Sequence, residues 1–486
     1  MKPAEYGRHD ATALAEMIRN GDVSQREVAS AALTAAEALN PSLNAILECH
    51  YDRADALPDT PAPLENAAVF AGVPMMLKDI GASEEGRKQE LASTAFLGRV
   101  APTTSDLTHR FRAAGLVNLG RTALPELGMA SLNSVSAVNP STVNPWNTDY
   151  MAGSSSGGAG AVVASGIVPI GHASDIGGST RHPAGICGAV GLKTTRGRIP
   201  LGPEFCDYPI GTLNEFTITR SVRDSAALLD AVEGPVGGDP RTVAEPPQPF
   251  ARTVREAQDR GTLAARDRPL RVALCGLSLT PLPLDPEVEA TTRRVASVLA
   301  THGAEVEEAA PDIDFDAMVR DDMMCAGSFL TVAIRGLAEK EGFALDEGSF
   351  SKIVRDLMAL ASAGSAVDLF AALEGYNAVR RRIYDFFRPY DLLITPVMSC
   401  QTEKAELFLP ENSEILGDAW THHLQYLLPF NISRNPAMSV PAAMSSSGLP
   451  IGVQIAAPLG DDATLFAVAA VLQSEIKWPS RISPLP

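Results

Sequence analysis

Two stretches of this chain carry residue types that can attack a carbonyl group. The first is Met151-Ala152-Gly153-Ser154-Ser155-Ser156-Gly157-Gly158, and the second is Asp175-Ile176-Gly177-Gly178-Ser179-Thr180-Arg181-His182-Pro183-Ala184. Two glycines directly before Ser179 free the backbone to turn its N–H groups toward one point, as an oxyanion hole requires. A serine at the end of that turn can attack a carbonyl whose oxygen those N–H groups hold. Its hydroxyl needs a base, and Lys78 in Gly72-Val73-Pro74-Met75-Met76-Leu77-Lys78-Asp79 follows an apolar approach that favours burial. A lysine serves as base only when neutral, and removal from water lowers its affinity for a proton. Asp79 would oppose that shift if its side chain turned inward.

Other readings of the same residues are weaker. Gly/Ser-rich segments are commonly linkers, yet Ala159–Ala164 suits a packed helix and Ile167–Ile170 a short buried strand. No Asp, Glu, Lys or Arg occurs from Tyr150 to Ser174. The glycines, serines, Pro169 and His172 in that run argue for a buried core segment over a membrane span. Gly153–Gly157 matches G-x-S-x-G, but that elbow needs a preceding strand and a downstream acid and histidine. Asn144–Asp149 reads as a turn-rich loop, and His302, His422 and His423 stand in no triad context. Ser349-Phe350-Ser351-Lys352 matches S-x-x-K without its companion motifs and reads as the start of a solvated helix. His172, in an apolar run, reads as a hydrogen-bonded core histidine, and His182, before Pro183, as part of an extended segment.

The elements that must position these groups alternate in type. Helices are expected from Asp10 to about Ile18, from the capping box Ser24-Gln25-Arg26-Glu27 to Leu39, over Ser105–Ala114, over Ser156–Ser165 and over Arg223–Val232. Pro286–His302, Phe315–Glu341, Ser365–Phe387 and Asp462–Glu475 continue the helical series. Val69–Leu77 reads as a loop running into a buried strand that delivers Lys78, and further strands are expected at Leu116–Leu119, Leu270–Leu274, Leu392–Ile394 and Ile451–Ala456. Strands alternating with helices over the whole length indicate an α/β layered fold.

Composition narrows the function. Net charge is −18, from 40 basic and 58 acidic residues, which disfavours nucleic acid or an anionic membrane as partner. The start of the chain has no signal-peptide core, and the six cysteines are scattered without C-x-x-C. Reduced thiols and a cytoplasmic location are the expectation. No ligand cluster has metal spacing and no phosphate loop is present, so neither metal nor other cofactor is expected.

Lys78 after Gly-Val-Pro, Ser155 in the serine cluster and Ser179 after Gly-Gly together resemble the amidase signature family. So do Asn144-Pro145-Trp146-Asn147, Gly191-Leu192-Lys193-Thr194 and the tail from Asn435 through Gln454. The resemblance implies one α/β/α sandwich around a large mixed sheet, spanning residues 1–486. Within it lie a helical N-terminal arm (1–65), a signature core (66–232), a surface excursion (233–270) and the remaining sheet and helices (271–486). It implies a catalytic Ser179, a bridging Ser155 held by a cis peptide bond, a base at Lys78, and an oxyanion hole from the N–H groups of Ile176, Gly177, Gly178 and Ser179. Asp175 and Arg181 match family positions and are assigned to shaping the loop. Ser154 stands where the family usually has glycine. The expected activity is hydrolysis of a non-peptide C–N bond in a small-molecule amide, with a homodimer left open as the assembly. A glutaminase subunit of a tRNA-dependent amidotransferase and an esterase or urethanase are the alternatives. Some segments are similar to the cyclic-dimer hydrolase subgroup. Met129, Cys206, Tyr208 and Phe329 are candidate pocket residues, from Met- and aromatic-rich segments that suit an apolar substrate group.

Overall fold

The computed structural model describes residues 1–59, 68–204, 207, 211–261, 263, 268–409 and 416–478. Its strands are β1 (Ile46–Cys49), β2 (Pro74–Lys78), β3 (Val117–Thr122), β4 (Val143–Asn144), β5 (Asn147–Met151), β6 (Ile170–Asp175) and β7 (Val190–Lys193). They continue as β8 (Asn214–Thr219), β9 (Arg271–Leu274), β10 (Glu305–Glu308), β11 (Leu392–Pro396), β12 (Ala437–Met444) and β13 (Pro450–Ala456). Eleven of them form one sheet in the order β1-β3-β2-β6-β8-β7-β12-β13-β11-β9-β10, while β4 and β5 pair apart as a hairpin. The sheet is mixed. β3, β2 and β6 run parallel, as do β10, β9 and β11, and the pairs between are antiparallel. This is the α/β architecture expected from the alternating elements.

The helices begin and end where the chemistry of their termini dictates. Asp10 caps Ala11–Asn20, accepting from the Ala13 N–H, and Gly21 closes that helix at φ +78°. Ser24 and Glu27 form the reciprocal capping box of Gln25–Leu43. The latter helix runs through Pro41, beyond the expected end at Leu39. Helix Gly157–Ala164 is buried along its whole length, and its small residues permit this. A Cβ on Gly158 would lie 2.5 Å from the Ala123 backbone nitrogen and oxygen, so only glycine lets the helix lie this close to the chain leaving β3.

Three boundaries differ from the sequence reading. The N-terminal arm is not purely helical, because Ile46–Cys49 leaves it to become the antiparallel edge strand beside β3. The 233–270 segment is more than a surface excursion. Its residues 250–260 form a helix whose face Phe250, Thr253, Val254 and Ala257 is buried, with the Phe250 ring 5.2 Å from that of Phe466. That face has helical spacing, but the surrounding prolines and charges mask it. The strand placed at Ile167–Ile170 begins at Ile170 and runs to Asp175. Among the described residues no single helix is long and apolar enough to cross a membrane. One pair, Lys352–Ala363 with Ala366–Phe386, qualifies only when joined across a 107° bend.

The parallel register of β2 and β6 sets up the site. Both strands point their C-terminal ends the same way, so Lys78 ends one and Asp175 the other. The carboxyl edge of adjacent parallel strands is where an α/β sheet opens a crevice for a ligand.

Candidate active site

Lys78 arrives on a strand in which Pro74 to Lys78 are all buried. Its side chain is 1% exposed, and Nζ lies 2.6 Å from Ser155 Oγ, 2.9 Å from Ser156 Oγ and 2.9 Å from Ser174 Oγ. Burial pushes its ammonium down to about 7, against the opposing charges of Glu215 and Asp175. Asp79 does not join them. Strand alternation turns it to the other face, where its carboxylate accepts from Arg121 Nη1 at 2.6 Å and from the N–H groups of Glu90 and Ala92. His172 also supports the lysine: Nδ1 accepts from the Lys78 backbone N–H, and Nε2 lies 2.8 Å from Glu215 Oε2. It is the bonded core histidine expected.

The serine cluster lies between the β4–β5 hairpin and the N-terminus of helix Gly157–Ala164. The preceding segment, turn-rich in sequence, therefore contains a hairpin. The Ser154–Ser155 peptide bond is cis. The Ser154 hydroxyl donates to the Ser131 carbonyl at 2.6 Å.

Ser179 lies half-buried in the loop between β6 and helix Arg181–Cys187. Asp175 organises that loop. Oδ1 accepts from the Gly178 N–H at 2.7 Å and from Asn431 Nδ2, while Oδ2 accepts from the Thr180 N–H. The Arg181 guanidinium grips both carboxylate oxygens at 3.0 Å and is itself held by Gln454, Asn431 and the Leu427 carbonyl. Burial would raise the Asp175 carboxyl, but Arg181 outweighs it and keeps the group well below the usual range. The loop-shaping positions thus form a buried ion pair beneath the turn.

The four expected oxyanion donors need one correction. The Gly178 N–H is already spent on Asp175, which leaves those of Ile176, Gly177 and Ser179. Gly178 holds φ at +131°, and a Cβ there would lie 2.5 Å from Leu427 Cδ1. Its freedom serves the turn rather than the substrate.

Above Ser155 and Ser179 opens a cavity of about 470 Å³. Ile80, Leu127, Met129, Met323 and Trp420 are among its apolar walls, so Met129 lies where the pocket was expected. Phe329 does not line it. Its helix turns that residue away, against the side cluster of Phe96, Ile334 and Phe350. Cys206 and Tyr208 lie outside the described residues.

Several site residues had no sequence assignment. Ser156 and Ser174 complete the hydroxyl shell of Lys78. Ser174 shares a strand face with His172 by period-two spacing, which is a readable signal. His182 is helical, within Arg181–Cys187, and not extended. Its Nδ1 accepts from the Ser154 N–H at 3.3 Å, and Nε2 meets His423 Nδ1 at 2.8 Å; His423 Nε2 in turn lies 2.7 Å from Glu403 Oε2. The Ser154 carbonyl also lies 3.4 Å from Nδ1, and the shorter contact, with the Ser154 N–H as donor, corresponds to the tautomer with the His182 proton on Nε2, pointing at His423. Burial, with His423 beside it, pushes His182 down to about 3. Cys400, Glu403 and His423 are close enough together to hold a metal ion. Adding an ion at His423 Nε2 would displace the proton that the chain from Ser154 places there, so the set fits a hydrogen-bond chain better than a metal centre.

Comparisons with known proteins identify the family. The Amidase family model matches residues 27–466. The 6-aminohexanoate-cyclic-dimer hydrolase of Paenarthrobacter ureafaciens is 33% identical over 488 residues, covering 97% of this chain and 96% of that protein. The structure of a 6-aminohexanoate cyclic dimer hydrolase complexed with substrate superposes with a TM-score of 0.89 at 32% identity, over 99% of each chain. A bacterial aryl acylamidase of the amidase signature family superposes with a TM-score of 0.85 at 25% identity, over 98% of each. On this breadth of match the chain belongs to the amidase signature family and is an amidase, a hydrolase of carbon–nitrogen bonds other than peptide bonds.

Proposed function

We propose that this chain cleaves small amides through an acyl-enzyme on Ser179, with Lys78 as base and Ser155 passing the proton between them. The observation that carries the reading is the environment of Lys78. A neutral amine has two N–H donors and one lone pair, and three hydroxyls surround Nζ at 2.6–2.9 Å. Ser156 and Ser174 can accept the two donors, which leaves the lone pair for the Ser155 O–H. No carboxylate bonds to Nζ among the described residues, so little holds the amine in its charged form.

The steps balance with water as the one added reagent. Ser179 Oγ attacks the carbonyl carbon as its proton moves to Ser155, whose own proton moves to Lys78. The N–H groups of Ile176, Gly177 and Ser179 receive the oxyanion. Lys78 then returns a proton by the same path to the leaving nitrogen, and the C–N bond breaks. Water then attacks the acyl carbon, giving a proton to the same path, and that proton returns to Ser179 Oγ as its bond to the acyl carbon breaks and the acid leaves.

The cavity favours an apolar substrate group over glutamine, because its walls are mostly aliphatic and aromatic. Purified protein, alone, is expected to hydrolyse an aryl amide with no preference for glutamine. Strong glutaminase activity that appears only with a partner subunit would overturn the proposal.

A pH–rate profile tests the base. Below the Lys78 ionisation at about 7 the amine keeps its proton and cannot accept another. On this reading kcat/KM rises about tenfold per pH unit up to that point and then levels. Lys78→Ala removes this limb. A limb that survives the substitution would assign the titration to another group.

A further inference from the structure

Helix Phe315–Glu341 presents one face to the cavity, through Phe315, Val319, Asp322, Met323 and Ala326. Four of these are apolar and one is an acid. Asp322 Oδ1 accepts from Tyr376 Oη at 2.6 Å, which ties this helix to Ala366–Phe386. No hydrogen bond ties its other oxygen to a described residue. Among the described residues no Lys, Arg or His nitrogen forms an ion pair with Asp322, and burial pushes its carboxyl up to about 6 against the hydrogen bond from Tyr376.

The other charged groups of the cavity are accounted for. Asp356 pairs with Lys352 Nζ at 2.6 Å and is exposed. His182 is held neutral. Lys78 lies beneath the floor, among its three serine hydroxyls. Asp322 is the wall carboxylate with no counter-ion. Asp322 is partly buried, a carboxylate shielded from water gains from a paired cation, and the cavity is the direction from which a partner can come.

We propose that Asp322 is a cation subsite, and that this amidase takes amides whose apolar chain carries a protonated amine at the end remote from the scissile bond. The inference rests on the hydrolysis at Ser179 proposed above and adds the substrate class. The aliphatic walls would hold the methylene chain, the Asp322 carboxylate would accept from the ammonium, and the carbonyl would lie at Ser179. Tyr376 keeps the carboxylate in place, because its hydroxyl fixes one oxygen and leaves the other for the ligand.

Two matched substrate series test this. One consists of ω-amino acyl anilides of increasing chain length, and the other of amides made from ω-amino amines; each is compared with its uncharged methyl-terminated counterpart. In at least one series, at one chain length, the charged member is expected to exceed the neutral one in kcat/KM. Asp322→Asn keeps an acceptor for Tyr376 but removes the charge, and is expected to lower that ratio by roughly ten- to a hundredfold, the loss of one charged hydrogen bond. A wild-type enzyme indifferent to the ammonium in both series would overturn the proposal, as would a ratio unchanged in Asp322→Asn. Calorimetric binding of the same compounds to Ser179→Ala reads the subsite without turnover. Tighter binding of the charged member there supports the subsite even if no anilide is hydrolysed, a result that would sink only the hydrolysis reading.

Discussion

Ser179→Ala is expected to lose amide hydrolysis by a factor on the order of 10⁶ in kcat, the scale seen when the nucleophile of a coupled catalytic unit is removed. The substitution deletes one oxygen and leaves the Asp175–Arg181 pair and the Lys78 hydroxyl shell in place. A correctly folded, inactive protein is therefore the expected product, and a thermal melt checks the folding. Lys78→Ala and Ser155→Ala interrupt one proton path at two points. The double variant should accordingly be little worse than the more damaging single change. The N–H groups of Ile176, Gly177 and Ser179, the proposed oxyanion donors, survive both substitutions, so an activated ester, whose leaving group needs no proton, should lose much less rate than an amide. Additive losses in the double variant, or equal losses for ester and amide, would separate Lys78 from the proton path.

Arg181→Ala should be the most damaging structural substitution at the site. Arg181 is fully buried, and its guanidinium accounts for five hydrogen bonds, to Asp175, Gln454, Asn431 and the Leu427 carbonyl. Removing it leaves the buried Asp175 carboxylate without its ion-pair partner. Breaking such a pair from one side costs about 3–5 kcal/mol. Urea unfolding should show this as a lower midpoint. The same change loosens the turn that presents Ser179, so kcat should fall even where the protein remains folded. A variant with wild-type stability would mean that Asp175 draws its support from Asn431 and the loop N–H groups alone.

The parts of the site that could be read in the sequence are those whose chemistry is local. Gly177-Gly178-Ser179 announces a tight turn, and the structure adds that Gly178 spends its N–H within that turn. The apolar run before Lys78 predicts burial, and strand alternation settles the direction of Asp79. The helix caps at Asp10 and Ser24 were legible for the same reason. What could not be read depends on pairings between distant segments. His182 meets His423 across 241 residues, and Thr12 meets Asp224 across 212. Asp322 appears in the sequence as one acid on an amphipathic helix, and only packing reveals that it faces a cavity. The helix containing Phe250 was hidden because proline and charge around it outweighed a short apolar stripe. Phe329 shows the converse error: an aromatic in a promising segment, turned by helical phase toward the core.

The most direct test of the Ser179 assignment is to trap the acyl-enzyme. An activated aryl ester is mixed with the protein, the reaction is quenched in acid during turnover, and the modified peptide is sequenced by mass spectrometry; a fluorophosphonate serves as a stable surrogate. The account predicts one acyl group per chain, on the peptide containing Ser179, and none in Ser179→Ala. An adduct on Ser155, on Ser349 or on a cysteine, or turnover with no covalent intermediate at all, would contradict it.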